Sequence, residues 1–342
     1  MMDPEKLKKI QAAAARDDFN DGRVDNFYNT DSESLAAKRR PFANIHSFFH
    51  AEVAESFEDL DIAMFGVPFD LGVTNRPGAR HGPTEMRSAS AMTNGPVNHF
   101  TKVMPADICK FADCGDVHYP LYQLDKGIEA IEAFYHTVKD AGVIPLSAGG
   151  DHSITYPIMK ALGRDEPLGL VHIDAHCDTS GEHDGAKFHH GGPFRNAALA
   201  GVLDPERTIQ IGIRGRAEPI WDFSYDTGMR VIHIEEFEEM GMTAVAREIQ
   251  QVCGNGPTYI SFDVDGIDPA FTPGTGTPEV GGLTPRNGQD IIRACQDLNL
   301  VGGDVVEVSP PFDPTGNTAL VGANLMWEML CVLAVSVASK NS

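Results

Sequence analysis

Apolar runs and helical periodicity alternate along most of the chain. Asp61–Val67 reads as a first buried strand. The stretch 68–83 that follows, PFDLGVTNRPGARHGP, is too rich in Gly and Pro for a regular element. A loop of that length inside a compact domain is usually functional or disordered. A helix is expected from Thr84 to Ala91, and a short strand over 110–115. Leu124–Gly142 has helical spacing, with Ile128, Ile131, Ala133 and Phe134 apolar. Further strands are predicted at 143–148, 168–175, 208–213, 229–233, 258–264 and 300–308. Helices are predicted at 153–162, 193–200, 243–252, 287–298 and 318–338. Apolar strands alternating with helices predict an α/β fold, with a mostly parallel sheet covered on both faces. No internal repeat or low-complexity segment is visible.

Residues 1–60 read as an N-terminal arm before a single domain spanning 61–342. Pro4–Arg16 is expected to be a short helix, and Asn20–Ser34 is polar. Arg39–Phe57 carries Phe42, Phe48, Phe49 and Phe57, aromatics expected at a subunit interface. The 342 residues are 42% apolar, ample for a core. Acidic residues number 49 against 27 basic, a net charge of −22. That charge excludes nucleic acid and anionic membranes as partners and mildly favours small cationic ligands. Six cysteines without a CxxC pair imply free thiols in a reducing cytoplasm. Met1–Asp18 is charged throughout and lacks the apolar centre of a secretory signal. The most apolar run, Leu325–Ala338, contains Glu328 and reads as a buried C-terminal helix.

Three strand ends carry the candidate chemistry. If the strand through 168–175 stays extended, His172, Asp174, His176 and Asp178 share one face. Tyr259, Ser261, Asp263 and Asp265 repeat the pattern, and VIPLSAGG runs into Asp151 and His152. Together His152, Asp174, His176, Asp178, Asp263 and Asp265 offer two imidazoles and four carboxylates. That is too many for one structural zinc. It suits two divalent ions of the manganese, nickel or cobalt kind. Two ions about 3.5–4 Å apart can share a water and lower its pKa towards neutrality. The expected reaction is hydrolysis at an unreactive carbon centre. Asp151, beside His152, is a further candidate catalytic carboxylate. Glu307, in VVEVSPP, needs a cationic partner if buried, either a substrate or a structural Arg. His190 could shuttle protons, although spacing alone does not separate it from His183 and His189.

The segments GGDHS, HIDAHCDT, SFDVDGIDPAFTPGTGTPEVGGLT and DVVEVSPPFD resemble the arginase/agmatinase (ureohydrolase) family. The likeness covers roughly residues 60–338. It implies a three-layer α/β/α fold, trimers or hexamers, and a binuclear manganese centre, sometimes nickel, that cleaves a guanidinium group to urea and an amine. It assigns His152, Asp174, Asp178 and Asp263 to one metal. It assigns Asp174, His176, Asp263 and Asp265 to the other, with Asp174 and Asp263 bridging. His190 matches the proton shuttle and Glu307 the carboxylate that pairs with the guanidinium. The loop SGEHDGAKFHH has no match to the arginase grip on an amino-acid head. TNRPGARHGP and TPEVGGLT are closer to guanidinobutyrase- and guanidinopropionase-like enzymes. Those usually carry a Tyr-containing loop ending Thr-His-Gly, where this chain has His189. With Glu182 and Asp184 in that loop, an acidic rim is expected to favour agmatine, guanidine, or an alkylated guanidine or biguanide such as metformin. Asn75, Arg76, His81 and Glu182 are the expected substrate rim. Two alternatives are a single-zinc deacetylase-like amidohydrolase and a non-catalytic subunit of a hetero-oligomer with a paralogous chain.

Overall fold

A computed structural model describes residues 2–15, 45–93, 97–215 and 219–340. Eight strands form one sheet: β1 (Ile62–Val67), β2 (Phe111–Asp116), β3 (Ile144–Gly149), β4 (Leu168–Ile173), β5 (Leu203–Ile213), β6 (Arg230–His233), β7 (Thr258–Asp263) and β8 (Leu300–Val306). The order is β2-β1-β3-β8-β7-β4-β5-β6, and each neighbouring pair is parallel. Strands β1, β4 and β7 are buried along their whole length because both of their faces are covered. On β1, Ile62 and Met64 enter one core, while Ala63, Phe65 and Val67 enter the other. Helices Met242–Cys253, Pro285–Ala294 and Asn317–Lys340 close the first face. Helices Leu124–Asp140, Thr155–Leu162 and Pro193–Leu199 close the second. The result is the expected three-layer α/β/α arrangement.

Helix Asn317–Lys340 is apolar nearly all round, as a helix packed on every side must be. It is long and apolar enough to span a membrane by composition, yet 78% of its most apolar window is buried in the fold. Its one mid-helix charge, Glu328, accepts from Arg293 Nε at 2.9 Å, Arg293 Nη2 at 2.5 Å and Asn98 Nδ2 at 2.8 Å. A buried carboxylate is tolerated when it is paired in this way.

Some boundaries differ from expectation. β5 starts at Leu203 rather than 208. Pro205 lacks a ladder donor, which hid the early part from a sequence reading. The ladder itself shifts register there and resumes at Thr208. The short helices Pro105–Ile108, Asp222–Thr227 and Ile234–Met240 were not foreseen. The last follows β6 with no polar or glycine break between them.

The N-terminal helix forms over Pro4–Ala14 and buries no residue. Phe42 and the polar stretch at 20–34 lie outside the described residues. The aromatics nearer the domain are used on the chain's own body. Phe48 and Phe49 are buried, with Phe49 5.3 Å from the Trp327 ring, and Phe57 packs edge-on against Phe65 and Phe134. Asp113 N donates to Glu52 O at 2.9 Å and Ala54 N to Asp113 O at 3.0 Å. The segment from Ser47 to Phe57 thus packs onto the body of the chain.

A row of buried polar side chains crosses the middle of the sheet. In register, Ser147 on β3 faces Asp304 on β8, which faces Ser261 on β7, then His172 on β4 and Gln210 on β5. All five are fully buried. They lie just below the carboxyl ends of these strands, where ligands bind in open α/β sheets.

Candidate active site

β3 runs into Gly149–Gly150, where a Cβ on Gly150 would overlap the Phe69 backbone. Only glycine lets the 68–83 loop pass this close. Asp151 then caps the turn His152–Ile154. Its Oδ1 accepts from Ser153 N at 2.9 Å and its Oδ2 from Gly72 N at 2.8 Å. Asp151 thus ties the loop to the strand end, and it does not line the cavity described below.

His152 is oriented from beneath. Asp304 accepts three hydroxyls: Ser261 Oγ at 2.6 Å, Thr155 Oγ1 at 2.8 Å and Tyr259 OH at 3.0 Å. Ser261 spends its only proton on Asp304, so its oxygen accepts from His152 Nε2 at 2.8 Å. His152 Nδ1 is left as the lone-pair side, the geometry of a metal ligand. It lies 2.9 Å from Asp178, 3.2 Å from Asp174 and 3.5 Å from Asp263.

The other candidate ligands converge for a different reason from the one expected. β4 ends at Ile173, so alternation along a strand does not gather Asp174, His176 and Asp178. The chain turns away instead, with Asp178 in the left-handed region at φ 52°. The turn is pinned by Arg214 N and Gly215 N, both donating to Ala175 O, and by Ala175 N donating to Asp265 Oδ1. Gly215 has no Cβ because the His176 ring occupies that space. His176 Nδ1 sits 3.2 Å from Asp265 and 3.4 Å from Asp174. Asp263 Oδ1 takes Asp265 N at 2.7 Å, and Thr277 Oγ1 reaches Asp265 Oδ2 at 3.1 Å.

These four carboxylates are crowded and buried. Burial and the charges of Asp265 and Asp174 hold Asp263 well above the usual carboxylate range. Burial and Asp174 push Asp265 up to about 6. Burial would raise Asp174 as well, but His172, His152 and His176 bring it well below its ordinary value. Burial would lower His152 and His176, yet their carboxylate neighbours raise both well above. Among the described residues no Arg or Lys pairs with these carboxylates; Arg214, close by, bonds backbone carbonyls instead. Four acids, two imidazoles and an unpartnered buried nitrogen at His152 Nδ1 fit a pair of hard divalent cations.

Glu307 lies beside this cluster, 1% exposed and at φ 63°. Its Oε1 accepts from His152 N at 3.0 Å and from His190 Nδ1 at 2.9 Å. Its Oε2 has no partner, and among the described residues no Arg or Lys pairs with it. His190 is thereby separated from its neighbours. His189 bonds Gly181 O at 2.8 Å, and the His183 side chain is 63% exposed. Thr74 N lies 3.2 Å from His190 Nε2, so the neutral ring keeps its proton on Nδ1, facing Glu307. Burial lowers the His190 pKa, but Glu307, Asp178 and Asp151 carry it up to about 9.

A cavity of about 500 Å³ opens over the site. Of the expected rim, Glu182 lines it, whereas Asn75, Arg76 and His81 do not. Asn75 Nδ2 is turned to Gly276 O at 3.3 Å, and Arg76 lies over the Phe312 ring. The walls include Thr74, Arg195, Asp222, Asp226 and Thr277, none of which was singled out in the sequence. Thr74 and Thr277 begin two of the quoted motifs, so a signal existed for them. Asp222 and Asp226 carried none, because their helix was not foreseen.

A parallel three-layer fold with this acid–histidine cluster at its central strand ends defines a class, and the chain belongs to it. The Arginase family model matches residues 60–331. The chain is accordingly a hydrolase of the ureohydrolase type, acting on guanidino compounds. It is 50% identical over 306 residues to guanidinopropionase of Pseudomonas aeruginosa, covering 89% of this chain and 96% of that one. It is 49% identical over 290 residues to mitochondrial agmatinase of Gallus gallus, covering 84% and 85%. Among solved structures, proclavaminate amidino hydrolase from Streptomyces clavuligerus superposes with a TM-score of 0.84 at 34% identity, covering 87% of this chain and all of that one.

Proposed function

We propose that the chain cleaves the guanidinium group of a small guanidino compound to urea and an amine. In this reading His152, Asp174, Asp178 and Asp263 hold one divalent ion. Asp174, His176, Asp263 and Asp265 hold a second, with manganese preferred and nickel compatible with the same donors. When bound, the ions supply Lewis acidity that makes a water nucleophilic near neutral pH. The observation that carries the proposal is Glu307 Oε2, a buried carboxylate oxygen with no partner beside that cluster. A guanidinium N–H is the donor it lacks. Glu307 Oε1 is fixed by His152 N–H and His190, so the carboxylate is already oriented to receive a planar cation. His190 holds its proton at Nδ1 next to the substrate position and hands it to the departing amine.

Three exposed acids, Glu182, Asp222 and Asp226, stand on the cavity wall. They support a tail without a carboxylate: agmatine, guanidine itself, or an alkylated guanidine or biguanide such as metformin. One observation favours the opposite tail. Arg195 lines the same cavity, its guanidinium 4.5 Å over the Phe223 ring, with no carboxylate partner among the described residues. It could take a guanidino acid, in keeping with the relative named guanidinopropionase. The test is urea release from arginine, agmatine, guanidinobutyrate, guanidinopropionate, guanidine and metformin, after loading with manganese or nickel separately. The acidic rim predicts turnover of an uncharged or cationic tail. Guanidinobutyrate or guanidinopropionate far above all others would assign the tail to Arg195 instead. Silence across the panel with two metals bound would reject the ureohydrolase reading for these substrates.

A further inference from the structure

We infer that Gln210 is a positioning residue for the ligand loop 174–178, acting on both of its ends through the two hydrogens of one amide. This rests on the metal-site reading above. Gln210 sits on β5 opposite His172 on β4, and both are fully buried. Its Nε2 donates to Cys177 O at 2.6 Å. A backbone carbonyl only accepts, so the amide orientation is fixed: reversed, two oxygens would face each other. The same Nε2 lies 3.0 Å from His172 Nδ1, which must therefore accept. His172 is thus the Nε2–H tautomer, and it donates to Asp174 Oδ2 at 2.7 Å. The Phe194 ring, 4.3 Å away, packs against the imidazole and holds its plane.

One N–H of Gln210 thus reaches Asp174 through His172. The other grips the peptide just before Asp178. The second grip matters because Asp178 is a non-glycine residue in the left-handed region. Such a conformation persists only where the surroundings over-determine it. Space-filling does not explain the amide. Gln210 Oε1 is buried without a partner, a desolvation cost that an aliphatic side chain would avoid. The tautomer also keeps His172 out of the ligand set. His152, His172 and Asp174 offer atoms within 4.8 Å of one another, but the Nε2 of His172 carries a hydrogen.

The test is calorimetric titration of Mn2+ into the chelator-stripped full chain, comparing wild type with Gln210→Met, which keeps the bulk and removes both donors. Loss of an outer-shell partner should weaken Mn2+ binding by about 10–100-fold. The metal-free variant should still unfold cooperatively. His172→Phe keeps a ring against Phe194 and should weaken Mn2+ in the same direction. Unchanged Mn2+ affinity in a folded Gln210→Met chain would overturn the role and leave the metal site standing. A wild type that binds no Mn2+ would overturn the metal site and this inference with it. Should neither variant fold, 15N spectra of histidine-labelled, metal-free wild type decide the matter. The Nε2–H tautomer at His172 is required, and Nδ1–H there would refute it.

Discussion

Glu307 is placed by its backbone as much as by its charge. β8 ends at Val306, and the next residue swings into the left-handed region while its N–H stays bonded to Gly150 O at 2.9 Å. The turn aims the carboxylate sideways over the β3 end instead of along the strand. A non-glycine residue there is sparsely populated and marks functional constraint more often than chance. Glu307→Gln keeps the bulk and the turn but removes the charge. Loss of one charged hydrogen-bond acceptor should lower kcat/KM about 10–100-fold. Mn2+ content by elemental analysis should remain as in wild type, since Glu307 is no ligand in this scheme. Loss of metal together with activity would place Glu307 in the metal site instead. The identity of this residue and its need for a cation were legible in VVEVSPP. Its unpaired Oε2, and the lack of an Arg partner among the described residues, were not, because a sequence does not say which basic side chain comes close. His190 was likewise not separable by spacing from His183 and His189. The distinction came from Glu307, which bonds His190 Nδ1 from 117 positions away in sequence.

Elements were more legible than contacts. All eight strands were foreseen, the central ones as apolar runs, because a parallel sheet buried on both faces writes hydrophobicity without alternation. Their ends were less visible. The extended reading of 168–175 brought these acids together by a false route, since β4 stops at Ile173 and a pinned turn does the gathering. Asn75, Arg76 and His81 lie off the cavity wall for one reason. The 68–83 loop is folded onto the protein by Asp70 and Asp151, with Arg80 and Gly78 N–H bound to Asp70 and Gly72 N–H to Asp151. Only Thr74 of this group is left facing the cavity.

A similar side-chain clamp starts the last helix. Asp313 accepts from Thr318 N–H in the first turn of Asn317–Lys340, and from Thr315 N at 3.2 Å and Thr315 Oγ1 at 2.8 Å. Burial would raise its pKa, but these donors bring it below the usual value. A lowered folded pKa contributes stability above the unfolded pKa and loses it as pH falls. Asp313→Ala should therefore cost about 1 kcal/mol near pH 7 by urea unfolding, as for a lost helix cap. The gap to wild type should narrow below about pH 4, where the unfolded carboxylate also takes a proton. A gap independent of pH would mean that packing, not the charge at the helix start, is what Asp313 contributes.

At the scale of the molecule, the sheet concentrates negative charge where it is hardest to hold. The chain carries a net −22, and four of its acids meet in one buried cluster at the central strand ends. Composition announced the excess but not its location, which depends on β3, β8, β7 and β4 being neighbours. Without a cation the cluster relies on protons: Asp265 is shifted to about 6, Asp263 is raised, and His152 and His176 are raised. Every one of these folded pKa values lies above its unfolded value. Their contribution to stability is present at low pH and is lost as pH rises through the folded values. Asp174 is shifted the other way, and its contribution would be lost only in strong acid. In the two-ion reading, divalent ions replace the protons and remove the dependence. Stripping metal with a chelator should thus lower the melting temperature. At free metal a thousand times Kd the stabilisation is about 4 kcal/mol, which corresponds to on the order of 10 °C for a chain of this size. The difference between loaded and stripped protein should widen from pH 5 to pH 8, as the stripped cluster loses its protons and metal no longer competes with them. Melting curves at both pH values, with and without Mn2+, check this. A loaded-minus-stripped difference that shrinks over that range would mean the cluster is not relieved by cations, and the two-ion reading would have to be abandoned.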